Sequence, residues 1–365
     1  MKILITYVSA GAGHFKAAEA LYLACQKQNL GEIHFVDALD YSNSFFKKSY
    51  VGTYDLLVAR APKVWGWAFG LIDINGLQKL YRILRRIFNF INARHLHRFL
   101  EEEQFDYIFS THFMPTEVAA ALKRSKKINS RLINIITDFD VHKIWLAQGV
   151  DCYVVASDWT KDKLKSLGVD KEQILVSGIP TDAKFAQDFD RPALKNKLGL
   201  KPDVFTVLVA TGSFGIGPIA ELASTLSEDK VQVILICGRN KYLFERFKKK
   251  ESESLKVFGF VNNIHELMAV SDVMVTKPGG LSISEALVVQ LPLIFFHPIP
   301  GQEANNAKVL NHYGVGTSAE TINDVVEKLK SLRSSRDLFL SAVKKIKPLS
   351  HSQSAEEVLS IIKRI

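Results

Sequence analysis

Hydrophobic residues along this chain fall into two alternating kinds of segment. Short apolar runs bounded by glycine and polar residues are typical of buried strands, and the segments between them carry apolar residues at helical spacing. In the first half the runs predict strands near 2–8, 32–36, 106–110, 131–136, 151–156 and 173–177, with helices at 14–28, 115–125 and 158–167. In the second half they predict strands near 204–210, 231–236, 255–258, 272–276 and 292–296, with helices between them. This alternation indicates an α/β protein with two doubly wound parallel sheets.

The two groups of elements predict two domains, and a length of 365 residues agrees because it exceeds one typical core. We expect a first domain over 1–178, an interdomain linker over 179–202 and a second domain over 203–350. The segment 351–365 contains a final helix that is a candidate to pack back on the first domain. We expect the two domains to face each other across a cleft.

The composition is that of a cytoplasmic globular protein. Hydrophobic residues make up 47% of the chain, and its 23% of charged residues argues against bulk disorder. The three cysteines are far apart and have no metal-ligand spacing, so we expect reduced, buried thiols. The first apolar run breaks at glycines too early for a signal-peptide core, and no stretch approaches the length of a membrane-spanning helix.

The net charge of +9 is concentrated in residues 41–100, which alone carry ten Lys and Arg against two Asp. The same segment is rich in tryptophan and phenylalanine, and 77–91 has an apolar stripe at helical spacing with arginines on its flanks. A basic helix with an apolar stripe is suited to the interface of an anionic membrane. The residues expected to contact the membrane are Trp65, Trp67, Arg82, Arg85 and Arg86.

Two alternatives to membrane contact would also explain the positive charge of residues 41–100. Residues 77–91 could form an ordinary core helix with a solvated basic face, and nucleic acid would also be attracted. Because the aromatic residues fit a lipid headgroup boundary better, we expect no nucleic-acid partner. The protein is then expected on the inner face of the cell membrane, as a peripheral cytoplasmic protein.

A Pro-Gly-Gly turn between an apolar run and a helix predicts a phosphate site. Gly279 and Gly280 place backbone N–H groups and the positive end of a helix dipole around one point. Glu285, one turn into that helix, is a candidate to reach a sugar hydroxyl. Further polar side chains follow at the start of the next helix, on the same edge of the sheet: Gln302, Glu303 and Asn306. The pattern predicts a nucleotide-sugar site. The Pro-Gly-Gly turn taken alone could also be a structural loop that connects a strand to a helix without binding a ligand.

The loop after the first strand contains Gly11, Gly13 and His14, which begin a helix. The glycines permit close approach of a ligand, and the helix dipole is expected to keep His14 neutral, as a base or acceptor-binding group. The third glycine of a dinucleotide fingerprint is missing, which disfavours a dehydrogenase. A capping histidine without a catalytic role is the alternative.

Residues 137–145 follow another first-domain strand. Asp138 is a candidate base or a partner that orients His14, and His142 and Trp145 are candidates to shape an acceptor pocket. Asp138 and Asp140 raise the question of a metal, but helix dipoles are expected to take its place, so no metal is expected.

The second predicted domain contains matching loops. Residues 211–218 have three glycines in a short loop before a helix and predict a second diphosphate cradle that includes Gly212, Ser213 and Gly215. Arg239 is a candidate to support the diphosphate, and Phe260 to lie against a base. A structural role as strand-end turns is the alternative for both.

These motifs together resemble the monogalactosyldiacylglycerol synthases and bacterial processive diacylglycerol glucosyltransferases. The segments that carry the resemblance are 11–14, 138, 212–218, 237–240, 277–280 and 301–303. The resemblance implies the GT-B fold, with an acceptor site in the first of two Rossmann-like domains and a UDP-sugar site in the second. It also implies roles for single residues: His14 near the transferred sugar, Gly279, Gly280, Leu281 and Ser282 at the diphosphate, Glu285 at the ribose, and Gln302, Glu303 and Asn306 at sugar or phosphate.

The function expected from the resemblance is an inverting, metal-independent hexosyltransferase. Its partners are then a UDP-hexose, a diacylglycerol-type lipid and the anionic membrane surface, and it needs no cofactor. A UDP-sugar epimerase on the same fold, or a lipid- or nucleic-acid-binding protein with a vestigial cleft, are the alternative functions.

Overall fold

The computed structural model of the protein describes residues 1–43, 46–47, 49, 52, 61, 64, 66, 92–210, 218–227 and 230–363. The chain forms two compact units. The first contains Met1–Asp182 together with Pro300–Gln302 and Gln353–Ile365. The second contains Ala183–Ile299 and Glu303–Ser352.

The first unit is built on a six-stranded parallel sheet with the strand order β2-β1-β3-β4-β5-β6. The strands are β1 (Lys2–Tyr7), β2 (Glu32–Asp37), β3 (Tyr107–Ser110), β4 (Arg131–Ile135), β5 (Cys152–Val155) and β6 (Ile174–Val176). The helices are α1 (Ala12–Lys27), α2 (Arg94–Glu103), α3 (Phe113–Arg124) and α4 (Asp158–Ser166).

Both faces of this sheet are covered. Leu4 belongs to one core cluster, and its neighbours Ile3 and Ile5 belong to another on the opposite face. Alternate residues of a strand point to opposite faces, so continuous apolar runs such as β1 are typical of a parallel sheet buried on both sides.

The second unit has a six-stranded parallel sheet with the order β12-β11-β10-β7-β8-β9. Its strands are β7 (Thr206–Ala210), β8 (Gln232–Ile236), β9 (Leu255–Phe258), β10 (Val273–Thr276), β11 (Leu293–Phe296) and β12 (Thr317–Ala319). Its helices are α5 (Arg191–Lys197), α6 (Ile219–Ser227), α7 (Lys241–Lys248), α8 (Ile264–Ala269), α9 (Gly280–Val288), α10 (Gln302–His312, whose first residue clusters with the first unit), α11 (Ile322–Ser334) and α12 (Arg336–Ile346).

The strand order reverses once in each sheet. In the first sheet the chain leaves β2 and continues on the other side of β1, at β3; in the second it leaves β9 and continues beside β7, at β10. The loops after the two strands at such a reversal separate and leave a crevice at the carboxyl edge. These crevices lie beside residues 8–14 and 111–113 in the first unit and beside 277–280 in the second.

The last helix, α13 (Ser354–Leu359), packs on α1 in the first unit. Ala355 and Val358 share a core cluster with Ala18 and Leu21. Ser354 Oγ accepts a hydrogen bond from Thr181 N at 3.2 Å and donates one to the Ile179 carbonyl at 3.1 Å. The C-terminal segment is therefore part of the first core.

Every strand predicted from the sequence is present, and the elements that were missed are strand β12 and helices α2, α11 and α12. Strand β12 is a three-residue, largely exposed edge strand, too short to show a period. Helix α2 lies in the C-terminal part of the basic segment, where Leu96 and Leu100 are buried in the core. The predicted membrane contacts Trp65, Trp67, Arg82, Arg85 and Arg86, and the helix predicted over 77–91, lie outside the described residues. Within the described part of the chain, no helix is both long and apolar enough to cross a bilayer.

Candidate active site

His14 lies at the carboxyl edge of the first sheet, in the first turn of α1. Gly11 precedes the helix with φ +81°, a conformation that favours glycine, and no side chain caps the helix N-terminus. The chain therefore turns sharply from β1 into α1, and the first-turn N–H groups are left for water or a ligand.

Two hydrogen bonds join His14 to Thr111, the residue after β3. His14 Nδ1 lies 2.7 Å from the Thr111 carbonyl oxygen, and Thr111 Oγ1 donates to the His14 carbonyl at 2.9 Å. Because a carbonyl oxygen only accepts, Nδ1 carries the hydrogen. Thr137 Oγ1, 3.0 Å from the same nitrogen, is a second acceptor for it. In the neutral ring, Nε2 therefore holds the lone pair and can act as a base.

The environment of His14 keeps the ring neutral at physiological pH. Burial lowers the pKa of His14 from 6.5 to about 4, and the hydrogen bond to the Thr111 backbone opposes this only in part. The residue as a whole, including its backbone, is half-buried. Neutrality was expected from the helix dipole, but its cause is burial, which disfavours the charged ring.

The His14 ring meets two aromatic neighbours. The ring of His112 lies edge-on with its centroid 4.7 Å away, and that of Trp145 lies 6.0 Å away. His112 Nδ1 accepts a hydrogen bond from Met114 N at 3.1 Å, so the neutral ring carries its hydrogen on Nε2. The sequence reasoning missed His112, although it follows β3 as His14 follows β1.

Asp138 lies in the loop after β4 and is only 9% exposed. Its Oδ2 accepts a hydrogen bond from Gln302 Nε2 at 3.1 Å, within the first unit. The side chain that meets His14 Nδ1 is that of the preceding residue, Thr137. The other acid of this loop, Asp140, is paired with Lys163 of α4 at 2.7 Å.

The two residues predicted to shape an acceptor pocket have structural contacts. His142 is buried, and its Nδ1 accepts a hydrogen bond from Ile144 N at 3.1 Å, which caps a short 3-10 helix. Trp145 is buried in the core cluster, and its carbonyl accepts a hydrogen bond from Asn134 Nδ2 at 2.9 Å. The Trp145 ring thus packs near the His14 ring, and His142 stabilises the loop by capping its 3-10 helix.

In the second unit, the Pro-Gly-Gly turn lies where β10 ends and α9 begins. Gly279 is the N-cap residue, with φ −73°, and it has no side chain to accept hydrogen bonds from the first-turn N–H groups. A Cβ atom added at Gly279 would meet nothing within 4 Å. Since neither the backbone conformation nor a described neighbour requires glycine here, the open space suits close approach of a ligand.

The other predicted residues of α9 line its first two turns. Gly280 and Leu281 are buried, whereas Ser282 and Glu285 are half-buried. Ser282 and Glu285 are therefore the partly exposed members of this predicted set. Ser284 instead donates to the Gly280 carbonyl at 3.0 Å, within the helix.

The polar cluster at the start of α10 divides into different roles. Asn306 is fully buried, and its Nδ2 donates to the Pro278 carbonyl at 3.1 Å, so it holds the Pro-Gly-Gly turn in place. Glu303 Oε2 accepts from Ile299 N at 2.6 Å. Gln302 binds Asp138 instead.

Arg239 and Phe260 follow β8 and β9. The Arg239 guanidinium lies 5.5 Å from the centroid of the Phe260 ring, a cation–π geometry. Phe260 is 55% exposed, so it presents an aromatic surface supported by a positive charge. The remaining predicted donor residues, Gly212, Ser213 and Gly215, lie outside the described residues.

Among the residues that the structure describes, no group of three or more His, Cys, Asp or Glu side chains is arranged to hold a metal ion. The first unit contains a neutral histidine that can act as a base, and the second unit contains the backbone amides at the N-terminus of α9. These groups are suited to removing a proton from a hydroxyl and to binding an anion.

Two family models match the chain. Residues 14–181 match the model described as monogalactosyldiacylglycerol (MGDG) synthase, and residues 206–365 match the glycosyltransferase family 28 C-terminal domain. The chain is also similar to a processive diacylglycerol beta-glucosyltransferase of Bacillus subtilis strain 168. The two are 31% identical over 369 residues, which cover 99% of this chain and 94% of the relative.

Solved structures share the architecture at low sequence identity. The MurG structure of Acinetobacter baumannii has a TM-score of 0.62 at 12% identity and covers 100% of this chain and 99% of its own. The UDP-GlcNAc 2-epimerase of Neisseria meningitidis has a TM-score of 0.61 at 11% identity and covers 100% of both chains. These likenesses confirm the predicted GT-B fold with its Rossmann-like sheets, and they concern the fold alone.

Proposed function

We propose that this chain moves a hexose from a UDP-sugar to a diacylglycerol-type lipid. The premise is that it belongs to the family of monogalactosyldiacylglycerol synthases and processive diacylglycerol glucosyltransferases. The family relation makes it a lipid glycosyltransferase. The UDP-hexose donor, the lipid acceptor and inversion at the sugar are the parts that we propose.

The observation that carries this proposal is the state of His14. Its Nδ1–H is held by the Thr111 carbonyl at 2.7 Å, which leaves the lone pair on Nε2. Burial keeps the ring unprotonated. A neutral imidazole with a fixed tautomer is suited to act as general base towards a hydroxyl.

In the proposed reaction, the lipid hydroxyl oxygen attacks the anomeric carbon of the donor sugar from the face opposite the UDP group. His14 Nε2 takes the hydroxyl proton, the new C–O bond forms and the bond to the UDP oxygen breaks. The Thr111 carbonyl, which accepts the Nδ1 hydrogen, stabilises the imidazolium that results. Asp138 is the alternative base.

The departing UDP carries the negative charge that develops. The first-turn N–H groups of α9 would bind the diphosphate beside Gly279, where no side chain caps the helix. Glu285 would accept hydrogen bonds from the ribose hydroxyls. We propose no metal or other cofactor, because the helix dipole and these amides would supply the stabilisation.

The acceptor lipid requires contact with a membrane. We propose that the basic, aromatic segment 41–100 docks the enzyme on anionic lipid at the cytoplasmic face, as a peripheral protein, and that nucleic acid is not a partner.

The experiment is a product assay with each donor in turn. The protein is incubated with UDP-glucose or UDP-galactose and vesicles containing diacylglycerol, and lipids are identified by mass spectrometry. A hexosyl-diacylglycerol product supports the proposal, and its stereochemistry by NMR tests inversion. Turnover of the UDP-sugar without lipid, with a changed sugar configuration, would instead indicate an epimerase.

A further inference from the structure

Lys277 lies directly after β10, between the strand and the Pro-Gly-Gly turn. It is therefore at the carboxyl edge of the second sheet, at the strand-order reversal between β7 and β10. Despite its charge it is only 6% exposed. Lysine is among the residues least often buried, so the position needs an explanation.

The ammonium group of Lys277 makes no hydrogen bond and no ion pair among the described residues. Burial lowers the pKa of Lys277, and the negative charge of Glu303 partly opposes this. The attraction shows that Glu303 is close enough to favour the charged form. This attraction is not a hydrogen bond, so no described residue takes up the donors of the ammonium.

A second buried lysine of this unit, Lys195, has hydrogen-bond partners for its ammonium group. Lys195 of α5 donates to the carbonyls of Pro202 and Val204, both at 3.0 Å, and lies 4.0 Å from Asp272. Its donors are met by the protein itself. Lys277 differs because no described residue accepts a hydrogen bond from its ammonium.

Hydrogen bonds hold the backbone around Lys277 in place. Gly279 N donates to the Lys277 carbonyl at 2.8 Å, and Thr276 Oγ1 donates to the same oxygen at 3.1 Å. Asn306 holds the next residue, Pro278, through its carbonyl. The uncapped N-terminus of α9 begins two residues after Pro278, with open space at Gly279.

We propose that Lys277 is a phosphate-binding residue of the donor site, whose ammonium contacts the diphosphate of the nucleotide sugar and offsets the charge of the departing UDP. This inference rests on the proposed function for the identity of the nucleotide. The ammonium adds a full positive charge to the partial charge of the helix N-terminus. A buried charge acts more strongly on the leaving group than an exposed one.

The test compares UDP with uridine in binding to the full-length protein, measured by calorimetry. The wild type is expected to bind UDP more tightly than uridine, because only UDP carries the diphosphate. Lys277→Met keeps the length of the side chain and removes its charge. We expect its UDP affinity to fall by about 10- to 100-fold, the usual worth of a hydrogen bond to a charged group, with uridine affinity unchanged.

Lys195→Met is the matched control. It also removes a buried ammonium, but it leaves two carbonyls without their donor. We expect this variant to have a lower Tm and an unchanged ratio of UDP to uridine affinity. Lys277→Met should keep or raise the Tm, since it removes a largely buried charge that no described residue hydrogen-bonds.

The outcomes separate this inference from the proposed function. If Lys277→Met retains the wild-type preference for UDP over uridine, the inference is overturned. If the wild type binds neither compound, the proposed donor is wrong, and titration with inorganic pyrophosphate then decides the role of Lys277 by the same comparison. Should Lys277→Met fail to fold, Lys277→Gln removes the same charge and is judged by the same ratio.

Discussion

His14 and Thr111 are joined by two hydrogen bonds that run in opposite directions. The His14 ring donates to the Thr111 carbonyl at 2.7 Å, and the Thr111 hydroxyl donates to the His14 carbonyl at 2.9 Å. The first bond sets the tautomer of the ring, and the second ties the start of α1 to the end of β3. The pair therefore holds both the orientation and the chemical state of the proposed base.

Replacing His14 with Ala should lower turnover by about 100-fold or more, the usual worth of a positioned acid–base group, with little effect on UDP binding. The initial rate of lipid glycosylation and the UDP affinity by calorimetry measure the two effects. Near-normal turnover would reduce His14 to a helix-start residue and make Asp138 the leading base.

Thr137→Val should have a much smaller effect than His14→Ala. The Thr137 hydroxyl is only the second acceptor for the Nδ1 hydrogen, and the Thr111 carbonyl remains in the variant. We expect a loss of turnover of about 10-fold or less, in line with a single neutral hydrogen bond. A loss as large as that of His14→Ala would mean that Thr137, and not Thr111, controls the tautomer.

The protonation of His14 should follow its lowered pKa. Since only the neutral ring accepts a proton, activity that depends on it should persist as pH falls through 6.5 and be lost near pH 4. Carboxylates titrate in the same range, so the pH–rate profile alone does not identify the group. NMR titration of labelled histidine, with the signal assigned by its absence in His14→Gln, measures the ring directly. A midpoint near 6.5 would contradict the effect of burial.

Glu285→Ala should raise the apparent KM for the UDP-sugar strongly, because a hydrogen bond to a charged group is worth about 1.5–3 kcal/mol. Glu285→Gln is the matched variant that retains the shape and loses the charge. Calorimetry with UDP separates donor binding from catalysis, and unchanged affinity in Glu285→Ala would remove this residue from the ribose site.

Changing Arg82, Arg85 and Arg86 together to Glu should weaken vesicle binding, most clearly with anionic lipid at low salt. Each basic residue near an anionic surface contributes about 1 kcal/mol. Activity on a detergent-solubilised acceptor should fall much less. Co-sedimentation with anionic and neutral vesicles is the measurement.

The control for this prediction changes Lys248, Lys249 and Lys250 to Glu. These residues are exposed at the end of α7 in the second unit, and the net charge changes by the same amount. Equal loss of binding in both variants would point to a general charge effect. If the arginine variant sediments with vesicles as well as the parent does, residues 77–91 do not contact the membrane and instead belong to the core.

The sequence by itself determined the fold class. Each parallel strand buried on both faces is a local apolar run, so it can be identified without knowledge of its neighbours in the fold. It also determined the order of the loops that follow them. Strand β12 and helix α2 were not determined in this way. A strand of three residues is too short to show a period, and the stripe of α2 lay within a segment whose charge suggested a surface role.

The state of the candidate site was decided by tertiary structure. The tautomer of His14 depends on Thr111, which is 97 residues away along the chain, and its pKa depends on burial by several elements. Asn306 looked like a ligand contact, but packing places it on the Pro278 carbonyl. Lys277 lies in a segment that carries the family resemblance, but the sequence did not indicate that this lysine is buried. Hydrogen-bond partners and loss of solvent arise from groups brought together by folding, so they follow only from the packed structure.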